Sequence, residues 1–206
     1  NDMLTTKTPL GFAAMKAIRS LGPIDFKNLQ RDPLLRWLPL IPFLIAFLAR
    51  DFVPFLLQRV EAVLEIEMMP YYAPLMGYVV IILTPILVGA VIGFLLLDQR
   101  DDHTLEALQV TPLSLNGYLA YRLAMPMLVS AIFTLAALPI SGLARTGAGE
   151  SLTFGALLAC ILCATPLAPL FALAFAVFAQ NKVQGFALQK ASGVILLPPV
   201  IAYFIH

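Results

Sequence analysis

The sequence predicts an all-α protein that is embedded in a membrane and crosses it several times. Hydrophobic residues make up 60% of the 206 residues and charged residues only 12%, about half the charged share that is usual in soluble domains. Several apolar runs reach the roughly 20 residues that a helix needs to cross a hydrocarbon core of about 30 Å. The formal net charge of +1 gives no sign of nucleic-acid binding.

The first 33 residues are predicted to form a cytoplasmic segment that lies along the membrane surface. Between Leu10 and Leu29, apolar residues are mixed with the charged residues Lys16, Arg19, Asp25 and Lys27, a mixture that is too polar for a span. An interfacial helix would place these basic residues among lipid headgroups. The alternative is a partly ordered tail.

Residues 34–206 are predicted to form a transmembrane domain, a polytopic helical bundle. Five spans are expected, with boundaries that are uncertain by several residues: about Leu34–Leu57, Tyr72–Leu97, Leu113–Ile140, Leu152–Ala179 and Val183–Ile205. Because the last run ends at His206 without a polar tail, we expect a sixth span in the full protein.

Lys and Arg set the predicted orientation, since they are retained on the cytoplasmic side. Ten of the 13 basic residues fall on the side of the amino terminus, and the other side carries only Arg50, Arg59 and Arg145. The amino terminus and the loop around residues 98–114 are therefore predicted to be cytoplasmic. The localisation expected from this pattern is a multi-pass protein of the cell membrane, of bacterial type.

Glycine and proline are frequent within the predicted spans. Gly89 and Gly93 form a GxxxG pair on the second span, which lets another helix approach closely. Packing within the bundle is the expected role of this pair, and a dimer seam is the alternative.

The residues that enzymes and metal sites need are scarce. The two histidines, His103 and His206, have no partner at metal-ligand spacing, and the sequence contains neither a HExxH, a GxSxG nor a phosphate-binding loop. Cys160 and Cys163 are interpreted as small apolar residues of the fourth span. We therefore expect no catalytic residue, no metal and no cofactor in this chain, and no ATP hydrolysis by the chain alone.

Ion-coupled transport is also disfavoured, because coupling usually needs ionisable groups at mid-membrane. The central parts of the second to fifth spans contain none. Arg50 and Asp51 are placed at the outer end of the first span as an anchoring pair, and a substrate-contact or gating role is the alternative. Scattered hydroxyl groups remain in the interior: Thr84, Ser130, Thr134, Thr165 and Ser192. Such an interior favours a hydrophobic or amphipathic cargo and an external source of energy.

The segment from Leu97 to Ser114 is the longest strongly charged island between apolar runs. Asp101 or Asp102 is a suitable cap for a short helix, and Leu105 and Leu108 would share one face of it. Pro112 would end that helix. The sequence thus predicts a helix across the cytoplasmic mouth that docks on a partner, although a solvated connector is the alternative.

At this island the chain resembles the permease subunits of type-2 ABC exporters, and among them the fluoroquinolone-export permease group. The resemblance rests on Gly93–Asp101, on Thr104-Leu105-x-Ala107-Leu108-x-Val110-Thr111-Pro112-Leu113-Ser114, on Tyr118-x-x-Tyr121-Arg122, on Arg31-Asp32-Pro33 and on Lys182–Phe186. It covers nearly the whole chain. One departure is Gln99, where relatives often carry Glu.

The resemblance implies an elbow helix followed by six spans, with a coupling helix after the second span that sits in a cleft of an ATP-binding subunit. It implies an exporter of two permease units, identical or different, and two ATP-binding subunits that hold ATP and Mg²⁺. The implied coupling residues are Asp98, Arg100, Asp101, Asp102, Thr104, Leu105, Glu106 and Leu108.

Two other functions remain open from the sequence. The apolar, proline-rich spans also allow a secondary transporter or lipid-flipping protein without an ATPase. A structural or assembly subunit that moves no cargo is the third hypothesis. The residues do not identify the substrate among drugs, lipids and peptides.

Overall fold

The computed structural model describes residues 10–65, 67–101, 115–143 and 154–205. Within these ranges the chain is helical and contains no strand. The α-helices are α1 (Leu10–Arg31), α2 (Pro33–Trp37), α3 (Ile41–Leu64), α4 (Met69–Asp101), α5 (Leu115–Ser141), α6 (Phe154–Ala164), α7 (Leu167–Phe178), α8 (Lys182–Ser192) and α9 (Leu197–Ile205). Short 3₁₀ turns join α2 to α3 and α8 to α9.

Five helical segments are long and apolar enough to cross a membrane, which confirms the predicted helical bundle. They are Leu35–Leu64, Met69–Asp101, Gly117–Ser141, Gly155–Phe178 and Lys182–Ala202. The first differs most from its prediction, since α3 continues seven residues beyond Leu57 despite Pro54. A proline at this position removes one backbone hydrogen bond but leaves the rest of the helix paired.

Prolines divide the two carboxyl-terminal spans. Pro166 separates α6 from α7, and a 3₁₀ turn that precedes Pro198 separates α8 from α9. Proline lacks the amide hydrogen that the helix ladder requires, so breaks are expected there. The fourth and fifth spans are therefore each built from two shorter helices.

The second span, α4, is the centre of the bundle. Its most apolar stretch is 67% buried, against 17% for the first span. The largest core cluster joins Ala90, Phe94 and Leu97 of α4 to Phe175 of α7 and Leu35 of α2. A second cluster, nearer the amino end of α4, joins Val80 to α3, α5 and α6.

The helix α1, predicted over Leu10–Leu29, is observed and packs mainly against α5. Leu21 and Tyr121 form a small buried cluster between these two helices. At Asp32 the chain turns into α2, and the Asp32 carboxylate accepts a hydrogen bond from the Leu35 amide. This contact caps the start of α2 and thereby sets how the chain enters the first span.

Candidate functional site

Four buried polar side chains meet where α4 ends and α5 begins: Asp25 of α1, Gln99 of α4, and Tyr121 and Arg122 of α5. Arg122 Nη1 lies 2.9 Å from Asp25 Oδ2. Tyr121 donates its hydroxyl hydrogen to the same oxygen at 2.8 Å, and Gln99 Nε2 donates to Asp25 Oδ1 at 3.0 Å. Arg122 Nη2 donates to Gln99 Oε1. We call these four residues the loop-base network.

The network forms here because α1, α4 and α5 each place a polar side chain at this point. Asp25 is one turn from the buried Leu21 on the inner face of α1, and Gln99 lies in the last turn of α4. Arg122 follows Tyr118 by one turn of α5, and its Nε donates to the Tyr118 hydroxyl at 3.2 Å. The Arg122 guanidinium also lies 5.2 Å from the Tyr118 ring centroid, within the range of a cation–π contact.

A glutamine suits position 99 because of what surrounds it. Asp25 already supplies the negative charge that compensates Arg122. The Gln99 amide donates hydrogen to that carboxylate and accepts one from Arg122, which a carboxylate at the same place cannot do. A second carboxylate would also oppose Asp25 in a buried site. This gives a physical reason for the departure noted at Gln99.

A second ionic contact ties α4 to the start of α8. Lys182 Nζ lies 2.6 Å from Asp32 Oδ2 and 3.0 Å from Asp98 Oδ1. We call these three residues the Lys182 bridge. It joins the turn between α1 and α2, the last turn of α4 and the first residue of α8.

Arg100 connects the end of α4 to the end of α7. Its guanidinium donates to the carbonyls of Ala179 at 3.1 Å and Gln180 at 2.8 Å, with a longer contact to Ala176. A cation at the carboxyl end of a helix compensates free carbonyls and the helix dipole. In the same turn Asn181 caps α8 by accepting from the Gln184 amide at 2.9 Å. The turn between α7 and α8 is therefore stabilised by Arg100 of α4 and by the Asn181 cap.

The residues that make these contacts lie before and after residues 102–114 in the sequence. Asp98, Gln99 and Arg100 precede that segment, whereas Tyr118, Tyr121 and Arg122 follow it. Through them the two ends of the segment are joined to α1, α7 and α8. The contact between Asp25 and Arg122 is buried and charge-assisted, whereas the contacts of Arg100 and Lys182 are partly exposed.

The two ends of the bundle differ in charge pattern. Arg50 packs beside Gly142, at the end of α5 opposite Arg122, about 30 Å away at 1.5 Å per residue. There Arg50 and Asp51 are more than half exposed and lie 3.9 Å apart. This pair sits about a hydrocarbon thickness from the loop-base network.

Comparison with known proteins identifies the family. Residues 25–206 match the family model described as fluoroquinolones export permease protein Rv2686c-like. The chain belongs to this family. It is 33% identical over 199 residues to each of two Mycobacterium tuberculosis proteins, named fluoroquinolones export permease protein Rv2686c (strain H37Rv) and MT2760 (strain CDC 1551). The match covers 94% of this chain and 75% of each relative. No solved structure matches the chain significantly.

Membership in the Rv2686c-like family confirms the resemblance predicted from the sequence, and with it a multi-pass permease of the cell membrane. The matched region begins at Asp25, so it contains the whole loop-base network and the Lys182 bridge. Every span of the described chain also lies within it.

The predicted coupling residues fall into two groups in this family member. Asp98 and Arg100 make the intramolecular contacts given above, while Asp101 is exposed at the last residue of α4. The other five lie outside the described residues, as does the predicted short helix: Asp102, Thr104, Leu105, Glu106 and Leu108. Their coupling role stays a prediction.

Gly89 and Gly93 lie on the side of α4 that packs against α7. A Cβ atom on Gly89 would come within 2.4 Å of the Ala168 carbonyl oxygen, and one on Gly93 within 2.5 Å of Phe175 Cβ. Both glycines thus allow a close approach within one chain. Any contact with a second copy would have to use another surface of α4.

The interior hydroxyl groups donate to backbone carbonyls three or four residues earlier in the chain. Thr84 donates to the Val80 carbonyl at 2.7 Å and Thr134 to the Ser130 carbonyl at 2.8 Å. Ser130, Thr165 and Ser192 each donate to a carbonyl three residues earlier. Such local bonds leave few free polar groups for a passing cargo.

Sequence reasoning did not find the loop-base network. Arg122 and Tyr121 belonged to the family pattern, and an arginine near the start of a span is itself a signal of a partner. Asp25 and Gln99, however, lie 97 and 23 residues away from Arg122 along the chain. No local pattern relates residues at such separations, so only the packing of α1 against α5 brings them together.

Proposed function

We propose that this chain is the membrane-spanning permease subunit of an ATP-driven exporter, in which a separate ATP-binding subunit holds ATP and Mg²⁺. The observation that supports this most strongly is the loop-base network together with the Lys182 bridge. These contacts link the residues on either side of residues 102–114 to α1, to α8 and to the turn between α7 and α8. Such an arrangement suits a loop on which an external motor acts.

The mechanism follows from that linkage. A partner that moves residues 102–114 moves the ends of α4 and α5 together, since Asp25 and Gln99 hold Arg122 between them. Arg100 and Asp98 pass the same motion to the turn between α7 and α8. Alternating access then arises as these helices shift between two packed arrangements.

A separate motor is favoured because the buried charged groups lie at one end of the bundle, whereas ion coupling usually needs them near the middle of the membrane. Among the described residues, Asp25 and Arg122 are the buried charges, and both lie at one end of the bundle and pair with each other. Proton or sodium coupling usually depends on charges near mid-membrane. The sequence also has no phosphate-binding loop of its own.

The cargo is proposed to be hydrophobic or amphipathic. Back-bonded hydroxyl groups leave an apolar interior, and an apolar groove opens between Pro74, Leu75 and Tyr78 of α4 and Pro199 and Val200 of α9. The relatives are named for fluoroquinolones, which makes these drugs the first substrates to test. By the family resemblance, two permease units and two ATP-binding subunits form the exporter.

Transport in inside-out membrane vesicles tests the proposal. Cells expressing this chain with its ATP-binding partner should give vesicles that take up a fluorescent fluoroquinolone when ATP is added. Uptake should survive a proton uncoupler and stop with vanadate. Uptake that needs a proton gradient but no ATP would instead establish secondary transport, and an ATPase complex without cargo movement would favour a structural subunit.

A further inference from the structure

The outward face of α1 and α2 combines cationic and aromatic side chains. Lys27 and Arg31 are exposed and lie one turn apart on α1, beside Phe26, which is 61% exposed. Arg36 follows on α2 and lies 5.5 Å from the ring centroid of Trp37, which is 60% exposed. We call these five residues the basic–aromatic face.

The cations of this face differ from those at the loop base in having no acidic partner. Asp25 pairs with Arg122, and Asp32 and Asp98 pair with Lys182. In the described ranges, neither Lys27, Arg31 nor Arg36 forms an ion pair. Asp25, Asp32 and Asp98 are thus used in contacts within the chain, and Lys27, Arg31 and Arg36 leave uncompensated positive charge on the surface of α1 and α2.

We propose that the basic–aromatic face binds the headgroups of anionic phospholipids in the cytoplasmic leaflet. The phosphate groups of such lipids complement the uncompensated cations. An exposed tryptophan favours the depth of the headgroups, because its ring is amphipathic, and an exposed phenylalanine can be buried at the boundary between headgroups and acyl chains. Exposed basic residues next to exposed aromatic rings are the residue types from which interfacial helices are built.

The same helix carries Asp25 on its opposite side. Headgroups therefore hold α1 from the side of the bilayer, while Arg122, Tyr121 and Gln99 hold it from the side of the bundle. Anionic lipid bound at this face stabilises the position of α1 that the loop-base network requires. This link depends only on α1 and needs no assumption about cargo or motor.

Trp37 is the single tryptophan of the chain, so its fluorescence reports directly on lipids at this face. The protein is reconstituted into phosphatidylcholine vesicles with increasing fractions of brominated phosphatidylglycerol or, separately, brominated phosphatidylcholine. We expect the brominated anionic lipid to quench Trp37 more strongly, with an apparent binding constant about fivefold higher. Salt at about 0.5 M should reduce this preference by screening.

A second probe samples α1 itself. In the Trp37→Phe, Phe26→Trp variant the single tryptophan occupies an exposed position beside Lys27, and the same preference is expected. Replacing Lys27, Arg31 and Arg36 together with Gln should remove it. Arg59→Gln is the matched control, since Arg59 is an exposed cation of α3 beyond Arg50 along the helix, and the preference should persist there.

Equal quenching by the two brominated lipids at both tryptophan positions would overturn the proposal. The basic–aromatic face would then be a surface for a protein partner or for neutral lipid. A preference that survives removal of the three cations would also overturn it. Circular dichroism and a monodisperse elution profile establish that each variant is folded, so that a lost preference reports on charge.

Discussion

At the scale of single residues, the loop-base network depends on complementary donors and acceptors. Asp25 accepts from three side chains, and Gln99 both donates and accepts. A buried carboxylate is tolerated only with such partners, because burying an unpaired charge costs several kcal/mol. The network therefore depends on which side chain carries the negative charge as well as on how the side chains fit together.

Gln99→Glu should destabilise the protein by about 2 kcal/mol, since it removes a hydrogen bond to a charged group and adds a second carboxylate. The double variant Asp25→Asn, Gln99→Glu should recover most of this loss. In that variant the amide that replaces the Asp25 carboxylate can still accept from Tyr121 and Arg122 through its oxygen, and its nitrogen can donate to the new carboxylate on α4. Thermal unfolding in mild detergent would measure both changes.

The single exchange should lower the unfolding midpoint by about 5 °C, and the double exchange should return it nearly to the starting value. Asp101→Asn is a suitable control, because Asp101 is exposed at the end of α4. Additive losses in the double variant would contradict the proposed geometry, since contacting residues should not act independently.

At the scale of helices, much of the fold could be predicted from the sequence and the polar site could not. Apolar runs of sufficient length place the spans, as α4 and α5 illustrate. The spacing of Gly89 and Gly93 indicates close packing but does not name α7 as the neighbour. The partners of Arg122 depend on which helices pack together. A hydropathy pattern locates each span along the chain but does not show which spans are neighbours.

Gly89→Ala should destabilise the contact between α4 and α7 by about 1–3 kcal/mol through overpacking. The added methyl group would meet the backbone oxygen of Ala168, which no side-chain rotation can move away. Gly77→Ala on the same helix is the matched control, because a Cβ there meets nothing within 4 Å. Equal stability of the two variants in thermal unfolding would contradict this packing.

Lys182→Met should loosen the turn between α7 and α8, because Asp32 and Asp98 would lose their shared cation. Hydrogen exchange of the amides at Asp32–Trp37 and Ala179–Gly185 is expected to become faster. Lys190→Met serves as the control, since Lys190 is exposed and forms no ion pair in the described part of the chain. Unchanged exchange in Lys182→Met would mean that the bridge contributes little.

At the scale of the whole molecule, we propose that the ATP-binding subunit acts on residues 102–114, whose flanking residues contact α1 and α8. A double variant, Leu105→Asp with Leu108→Asp, removes the apolar face predicted for docking on the ATP-binding subunit. We expect it to fold normally, to lose the partner on purification and to abolish ATP-dependent drug uptake. Retained assembly and uptake would remove these leucines from the proposed coupling surface.

We propose above all that a separate ATP-binding subunit drives this permease. This proposal is tested most directly by purifying the tagged chain in mild detergent from cells that naturally contain it and identifying the associated proteins by mass spectrometry. We predict a stoichiometric partner that carries a phosphate-binding loop. A pure preparation without such a partner, under conditions that preserve a known exporter complex, would contradict the claim.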